Sequence, residues 1–114
     1  VGAAIQGLGG TFLDELVYDR DGQLVTGTFV DYLVPTSTDF PRVEAITLDG
    51  TPSNLNPLGV KGAGEGGIVA VAAAAANAVA DALAEFRVEV TELPISPANV
   101  QRWLHAADTA KGGG

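Results

Sequence analysis

From Ile68 to Ala76 the chain reads Ile-Val-Ala-Val followed by five alanines, without one polar residue. Alanine is the strongest helix former, so the run predicts a helix, continuing to Phe86. A helix that is apolar on every face must be covered on every face. Alanine contributes little area of its own, and burial stabilises by only ~25 cal/mol per Å². Close neighbours with larger side chains must therefore supply the packing. Further along, Asn77, Asp81 and Glu85 recur at four-residue steps and form one polar stripe. That half is expected to face water or a polar partner.

The remaining chain predicts an α+β unit. Val1, Ile5, Leu8, Phe12 and Leu16 recur at helical steps, which predicts a helix over Val1–Val17. Gly2, Gly7, Gly9 and Gly10 lie inside it, and each interior glycine costs ~1 kcal/mol against alanine. Close approach of another backbone or a ligand would account for them; a weak helix is the plain alternative. Asp21-Gly22 predicts a turn leading into a strand over Leu24–Val34. Arg42–Leu48 is a second strand candidate. Arg87–Leu93 is the clearest, with Val88 and Val90 on one side and Glu89 and Thr91 on the other. Ser96-Pro97 opens a short last helix, serine as N-cap and proline at the first helical position, carrying Val100, Trp103 and Leu104. The expected organisation is one unit over residues 1–110 with a flexible tail at 111–114.

Composition removes several function classes. The 114 residues carry 14 acidic and 6 basic side chains, a formal charge of −8. Nucleic-acid binding needs a basic footprint, and an anionic membrane surface needs the same, so neither partner is expected. The longest apolar run is too short to insert in a membrane. With no cysteine, the chain has no disulfide, thiolate metal site or thiol nucleophile, which fits a cytoplasmic protein. An alanine- and glycine-rich chain of this size would be marginal alone. Together with the absence of methionine, this is read as a piece of something longer.

The chemistry concentrates in Lys61-Gly62-Ala63-Gly64-Glu65-Gly66-Gly67, just before the alanine run. A carboxylate in the first turn of a helix is favoured by the helix dipole. Flanking glycines remove bulk, so a large group can approach the backbone. Free N–H groups at Gly66 and Gly67 could bind an anion. Glu65 held in this way is a candidate general base. The plain alternative is a glycine-rich turn with a glutamate at a favoured position. Gly62, Gly64 and Gly67 also satisfy G-x-G-x-x-G, but no buried strand precedes them and Glu85 lies in a helix, so dinucleotide binding lacks its context. His105, the only histidine, reads as a surface residue and Trp103 as core. Asp14-Glu15 are adjacent on a helix and form no carboxylate dyad. Asp19 and Asp21 lack the alternation of a calcium loop.

Four stretches taken together carry a resemblance. Gly59–Gly67 is similar to the signature of the xanthine dehydrogenase, aldehyde oxidase and carbon monoxide dehydrogenase family. Gly2–Gly9 resembles that family's glycine-flanked helix, Asp31–Thr36 the segment after its hairpin, and Leu93–Val100 its tail. The resemblance implies the C-terminal portion of a molybdenum-cofactor-binding domain, with an N-terminal Gly-rich helix, short strands, a buried Ala-rich helix and a short C-terminal helix. It implies a molybdopterin-dependent oxidoreductase acting on an aldehyde, N-heterocycle or similar small substrate. Glu65 would be the catalytic base; Gln6, Gly7, Gly62, Ala63 and Gly64 would bind the cofactor, molybdopterin or its cytosine dinucleotide form. No residue would ligate the metal directly. The implied partners are the rest of the molybdopterin subunit and iron–sulfur and flavin (FAD) domains or subunits, without which the fragment would be inactive. The competing reading is a non-catalytic binding or interaction module that keeps the scaffold.

Overall fold

The computed structural model describes residues 1–111. Its regular elements are α1 (Gly2–Phe12), α2 (Val71–Ala82), a single 3-10 turn (Ala84–Phe86) and α3 (Pro97–Lys111). Lys111 thus closes a helix rather than starting the expected tail, and 112–114 lie outside the described residues. The last helix, expected to be short, has 15 residues. Ser96 opens it: the Asn99 N–H donates to Ser96 Oγ at 3.2 Å, and Val100 N–H to the Ser96 carbonyl at 2.9 Å.

The first helix stops at Phe12, short of the expected Val17. Leu13 leaves helical geometry (φ −122°, ψ −47°), and the N–H groups of Leu13 and Asp14 both donate to the Gly9 carbonyl. The chain then folds back on itself. Val25 N–H donates to the Val17 carbonyl at 2.7 Å, and the Thr26 hydroxyl donates to the Glu15 carbonyl at 2.8 Å. The reversal is held by Asp19, whose carboxylate accepts the N–H groups of Asp21 and Gln23 at 2.9 Å each, and by Gly22 at φ 78°. Leu16 keeps the helical spacing, but turn chemistry directs the backbone elsewhere.

The expected strands are not formed among the described residues, where one isolated bridge pairs Tyr18 with Leu24. Within 24–34 the Thr28 carbonyl accepts the N–H groups of Asp31 and Tyr32, coiling the chain into a turn. Arg42–Leu48 lies without a ladder partner, leaving Ile46 and Leu48 80% and 90% exposed. Arg87–Leu93 does alternate, Val88 buried and Val90 half-buried between exposed Glu89 and Thr91, yet no strand pairs with it. Strand propensity is a preference for a pleated, half-covered surface, and here no neighbour covers it.

The glycines of α1 explain how the pieces meet. A Cβ on Gly7 would lie 2.7 Å from Val71 Cβ and 3.1 Å from Ile68 Cγ1. One on Gly9 would lie 2.6 Å from Pro35 Cγ, and one on Gly67 would lie 2.8 Å from Ala3 Cβ. Gly2 and Gly10 face open space, apart from Asp14 Oδ2 at 3.9 Å from a Cβ on Gly10. Thr11 is fully buried, its hydroxyl donating to the Gly7 carbonyl at 2.6 Å. Its own carbonyl, free at the end of the helix, accepts the Ile95 N–H at 2.6 Å. Phe12 packs on Phe40 with ring centroids 6.2 Å apart.

The alanine helix is not enclosed. None of its residues is buried, and it starts at Val71 rather than Ile68. Val88 and Ile95 are the buried hydrophobic residues among those described. The radius of gyration is 18.8 Å, against ~13 Å for a compact chain of this length. The described residues contain no helix long and apolar enough to cross a membrane.

This packing makes Gly7 and Gly10 unequal. Gly7→Ala should lower the unfolding temperature, since the overlap with Val71 has to be relieved at a cost of ~1–3 kcal/mol. Gly10→Ala should leave the temperature unchanged or raise it; equal losses in both variants would contradict the packing. A second prediction concerns α3, where Arg102 and Trp103 Nε1 both donate to Glu92 Oε1. These bonds, Arg102's foremost, hold the Glu92 carboxyl below the usual carboxylate range. A lowered folded value means the contact stabilises fully above the ordinary glutamate range and fades as pH falls through the lowered value. Fluorescence of Trp103, the only tryptophan of the chain, should shift over that acid window, and Glu92→Gln should flatten the shift.

Candidate functional site

The glycine-rich segment emerges from a loop tied by its own side chains. Asn56 Nδ2 donates to the Val60 carbonyl at 2.9 Å, while Asn56 Oδ1 accepts the Val60 N–H at 3.1 Å. Gly59 N–H donates to the Asn56 carbonyl, and the Gly59 carbonyl accepts the Ser53 N–H at 2.9 Å. Gly59 has φ 67°, and a Cβ there would also meet Pro52 Cβ at 2.8 Å. Lys61 Nζ donates to Thr51 Oγ1 at 3.3 Å, which ties the lysine into the loop.

Beyond this loop the segment opens. Gly62, Ala63, Gly64 and Glu65 are exposed, and a Cβ on Gly62 or Gly64 would have no heavy atom within 4 Å. Among the described residues no hydrogen bond ends on the Glu65 carboxylate. Its backbone carbonyl accepts the N–H groups of Ile68 and Val69 at 3.0 and 3.2 Å. The expected dipole effect needs correction: α2 begins at Val71 and has no acidic residue in its first turn. Glu65 stands in the turns before the helix, outside the first turn where the macrodipole acts. The Gly66 N–H, read from the sequence as free for an anion, donates to the Ala63 carbonyl at 3.3 Å.

The second candidate region lies on α1. Gln6 is exposed next to Gly7, about 100° further round the helix than the face that meets Ile68 and Val71. Gln6, Asp14, Tyr32 and Pro35 line an open cavity of about 450 Å³. One carboxylate oxygen of Asp14, Oδ1, is buried without a hydrogen-bond partner among the described residues. Desolvation first, and then the facing Asp14 carboxylate, push the Tyr32 hydroxyl above the usual tyrosine range.

The structure therefore brings the two candidate segments onto one helix. Gly7 and Ala3 of α1 meet Val71, Ile68 and Gly67, two residues beyond Glu65. Gly62, Ala63 and Gly64 stand upstream of that junction, and a Cβ on either glycine would meet open space. Sequence reasoning missed Asn56, Asp14 and Tyr32. Asn56 was readable only as loop, although its position four residues before Val60, with Gly59 between, is a usable turn signal. Asp14 and Tyr32 come together through the tertiary fold and left no local signal. His105 is exposed, and Trp103 is half-buried against Glu92. Among the described residues no three His, Cys, Asp or Glu side chains gather into a metal-binding group.

Known proteins resemble this chain along most of its length. The family profile of the molybdopterin cofactor-binding domain matches residues 1–41. The gamma subunit of the 6-hydroxypseudooxynicotine dehydrogenase complex of Paenarthrobacter nicotinovorans is 42% identical over 100 residues, which is 88% of this chain and 12% of that subunit. The molybdenum-binding subunit of an Escherichia coli aldehyde oxidoreductase is 39% identical over 97 residues, covering 84% of this chain and 13% of its own length. The crystal structure of quinoline 2-oxidoreductase from Pseudomonas putida superposes with a TM-score of 0.84 at 43% identity, over 91% of this chain and 13% of that one. The matched segment is thus a small part of each relative. On these likenesses, and on the four stretches now found around one helix, the chain belongs to the molybdopterin-binding subunits of the xanthine dehydrogenase, aldehyde oxidase and carbon monoxide dehydrogenase family.

Proposed function

We propose that this chain forms part of the active site of a molybdopterin-dependent hydroxylase, with Glu65 as its general base. The observation that carries the reading is the junction of α1 with the turns after Glu65, through Gly7, Ala3 and Gly67. It sets the turns that follow Glu65 against the helix that carries Gln6. The surroundings fit a pterin. Gly62 and Gly64 leave room for a bulky group beside the backbone. The cavity at Gln6 offers a side-chain amide, which can both donate to and accept from a polar ring edge.

When bound, the molybdenum cofactor supplies the oxygen and electron transfer that no side chain can perform. Gln6 would hold the pterin by its amide, and Gly7, seated against Val71 and Ile68, would fix the helix that carries it. Gly62, Ala63 and Gly64 admit cofactor and substrate to the backbone. Glu65 takes the proton, as an exposed carboxylate free of competing hydrogen bonds can do once substrate and cofactor close over it. The cofactor is molybdopterin or its cytosine dinucleotide form. The substrate is an aldehyde, an N-heterocycle or a similar small molecule. Iron–sulfur and flavin groups in partner domains or subunits would accept the electrons, in the cytoplasm. The names of the relatives support this reading: one acts within a dehydrogenase complex and another is the molybdenum-binding subunit of an aldehyde oxidoreductase.

Glu65→Gln in the intact enzyme should retain molybdenum and pterin while turnover falls roughly 10²- to 10⁴-fold, the range expected on losing a general base. Metal analysis and steady-state kinetics on the same preparation check this. Near-normal turnover would remove Glu65 from the base role.

A further inference from the structure

We propose that Asn56 is a positioning residue of this site, clamping the Val60 backbone and thereby fixing where the Gly62–Glu65 segment leaves the loop. The catalytic consequence rests on the reading of Glu65 as the base; the clamp itself does not.

A primary amide carries one donor group and one acceptor side by side, as a peptide on a neighbouring strand would. Asn56 uses both on one residue, donating to the Val60 carbonyl and accepting the Val60 N–H. The pairing fixes the amide orientation, since the Val60 N–H can only meet the oxygen. The clamp is seated in a tight loop. Gly59, just before Val60, is bonded at both its N–H and its carbonyl, at a backbone geometry that favours glycine. Lys61, just after Val60, is tethered to Thr51.

Among the described residues the span Gly62–Glu65 has its backbone bonded only through two carbonyls, Ala63 accepting from Gly66 and Glu65 from Ile68 and Val69. None of its backbone N–H groups takes part in a hydrogen bond among the described residues; the next to do so is Gly66, on Ala63. Gly62 and Gly64 contribute no side-chain packing. The span is therefore held by Asn56 upstream and, downstream, by the turn bonds onto the Ala63 and Glu65 carbonyls and the seat of Gly67 on Ala3. Glycine-rich backbone is the most costly to order, so a carboxylate carried on it depends on those anchors. A misplacement of about 1 Å can lower turnover by roughly 10²-fold.

The test uses the holoenzyme with Asn56→Asp, Asn56→Ala, Glu65→Gln and the double variants. Asn56→Asp keeps the side-chain shape and the acceptor but loses the donor to Val60, so it serves if the alanine variant does not fold. Both Asn56 variants should speed amide hydrogen exchange in peptides spanning 57–66 and lower kcat roughly 10-fold or more, with KM and molybdenum content near wild type. In the Glu65→Gln background the same changes should lower kcat little further, because both act on one step. Unchanged exchange over 57–66 would overturn the clamp. An equal kcat loss in both backgrounds, or loss of molybdenum in step with activity, would overturn the positioning role. If Glu65→Gln alone keeps turnover, the base reading fails separately, and the exchange result still decides whether Asn56 orders the segment.

Discussion

The bare face of α1 is the constraint on which the rest depends. At Gly7 and Gly9 the helix has no side chain, and in those two places other segments come closer than a Cβ would allow. The start of α2 settles against Gly7 and Pro35 against Gly9, while the Thr11 carbonyl takes the Ile95 N–H. Segments far apart in sequence therefore meet on one helix of 11 residues. A glycine inside a helix is destabilising by itself, so its use here makes sense only through what it admits. The site inherits this geometry: Glu65 is carried on the turns that end where Gly67 rests on Ala3.

The same packing leaves much apolar surface uncovered. Phe29, Val30, Leu48, Leu55 and Leu58 are all more than four-fifths exposed, at 85%, 86%, 90%, 91% and 84%. Apolar surface on that scale marks places where protein meets protein. The chain spans 12% of the dehydrogenase gamma subunit and 13% of the aldehyde oxidoreductase subunit. The alanine run, apolar on every face and without a buried residue, is part of that uncovered surface.

How far the sequence was legible depends on whether a feature is local. The Ser96-Pro97 helix start and the Asp21-Gly22 turn are short-range chemistry, and both stand in the structure. The glycines of α1 announced a close neighbour but could not say which; the answer is Val71, Ile68 and Pro35. The strands expected over 24–34 and 42–48 are not shown among the described residues: branched and aromatic residues express a strand only beside a partner, and Thr28 holds a turn in the first segment. Leu16 continued a helical spacing that the Asp19 turn overrode. Around the site, the Gly59–Gly67 stretch was visible as sequence. The clamp of Asn56 and the pairing of Asp14 with Tyr32 were not, since both depend on where side chains come to rest.

The most direct measurement is a structure of the intact enzyme with its cofactor in place. If Glu65 is the base, its carboxylate should lie within hydrogen-bond reach, ~2.6–3.2 Å or through one water, of the molybdenum's ligand shell, with Gln6 against the pterin. A Glu65 side chain directed into bulk solvent, with the pterin bound away from the α1 junction, would contradict that role.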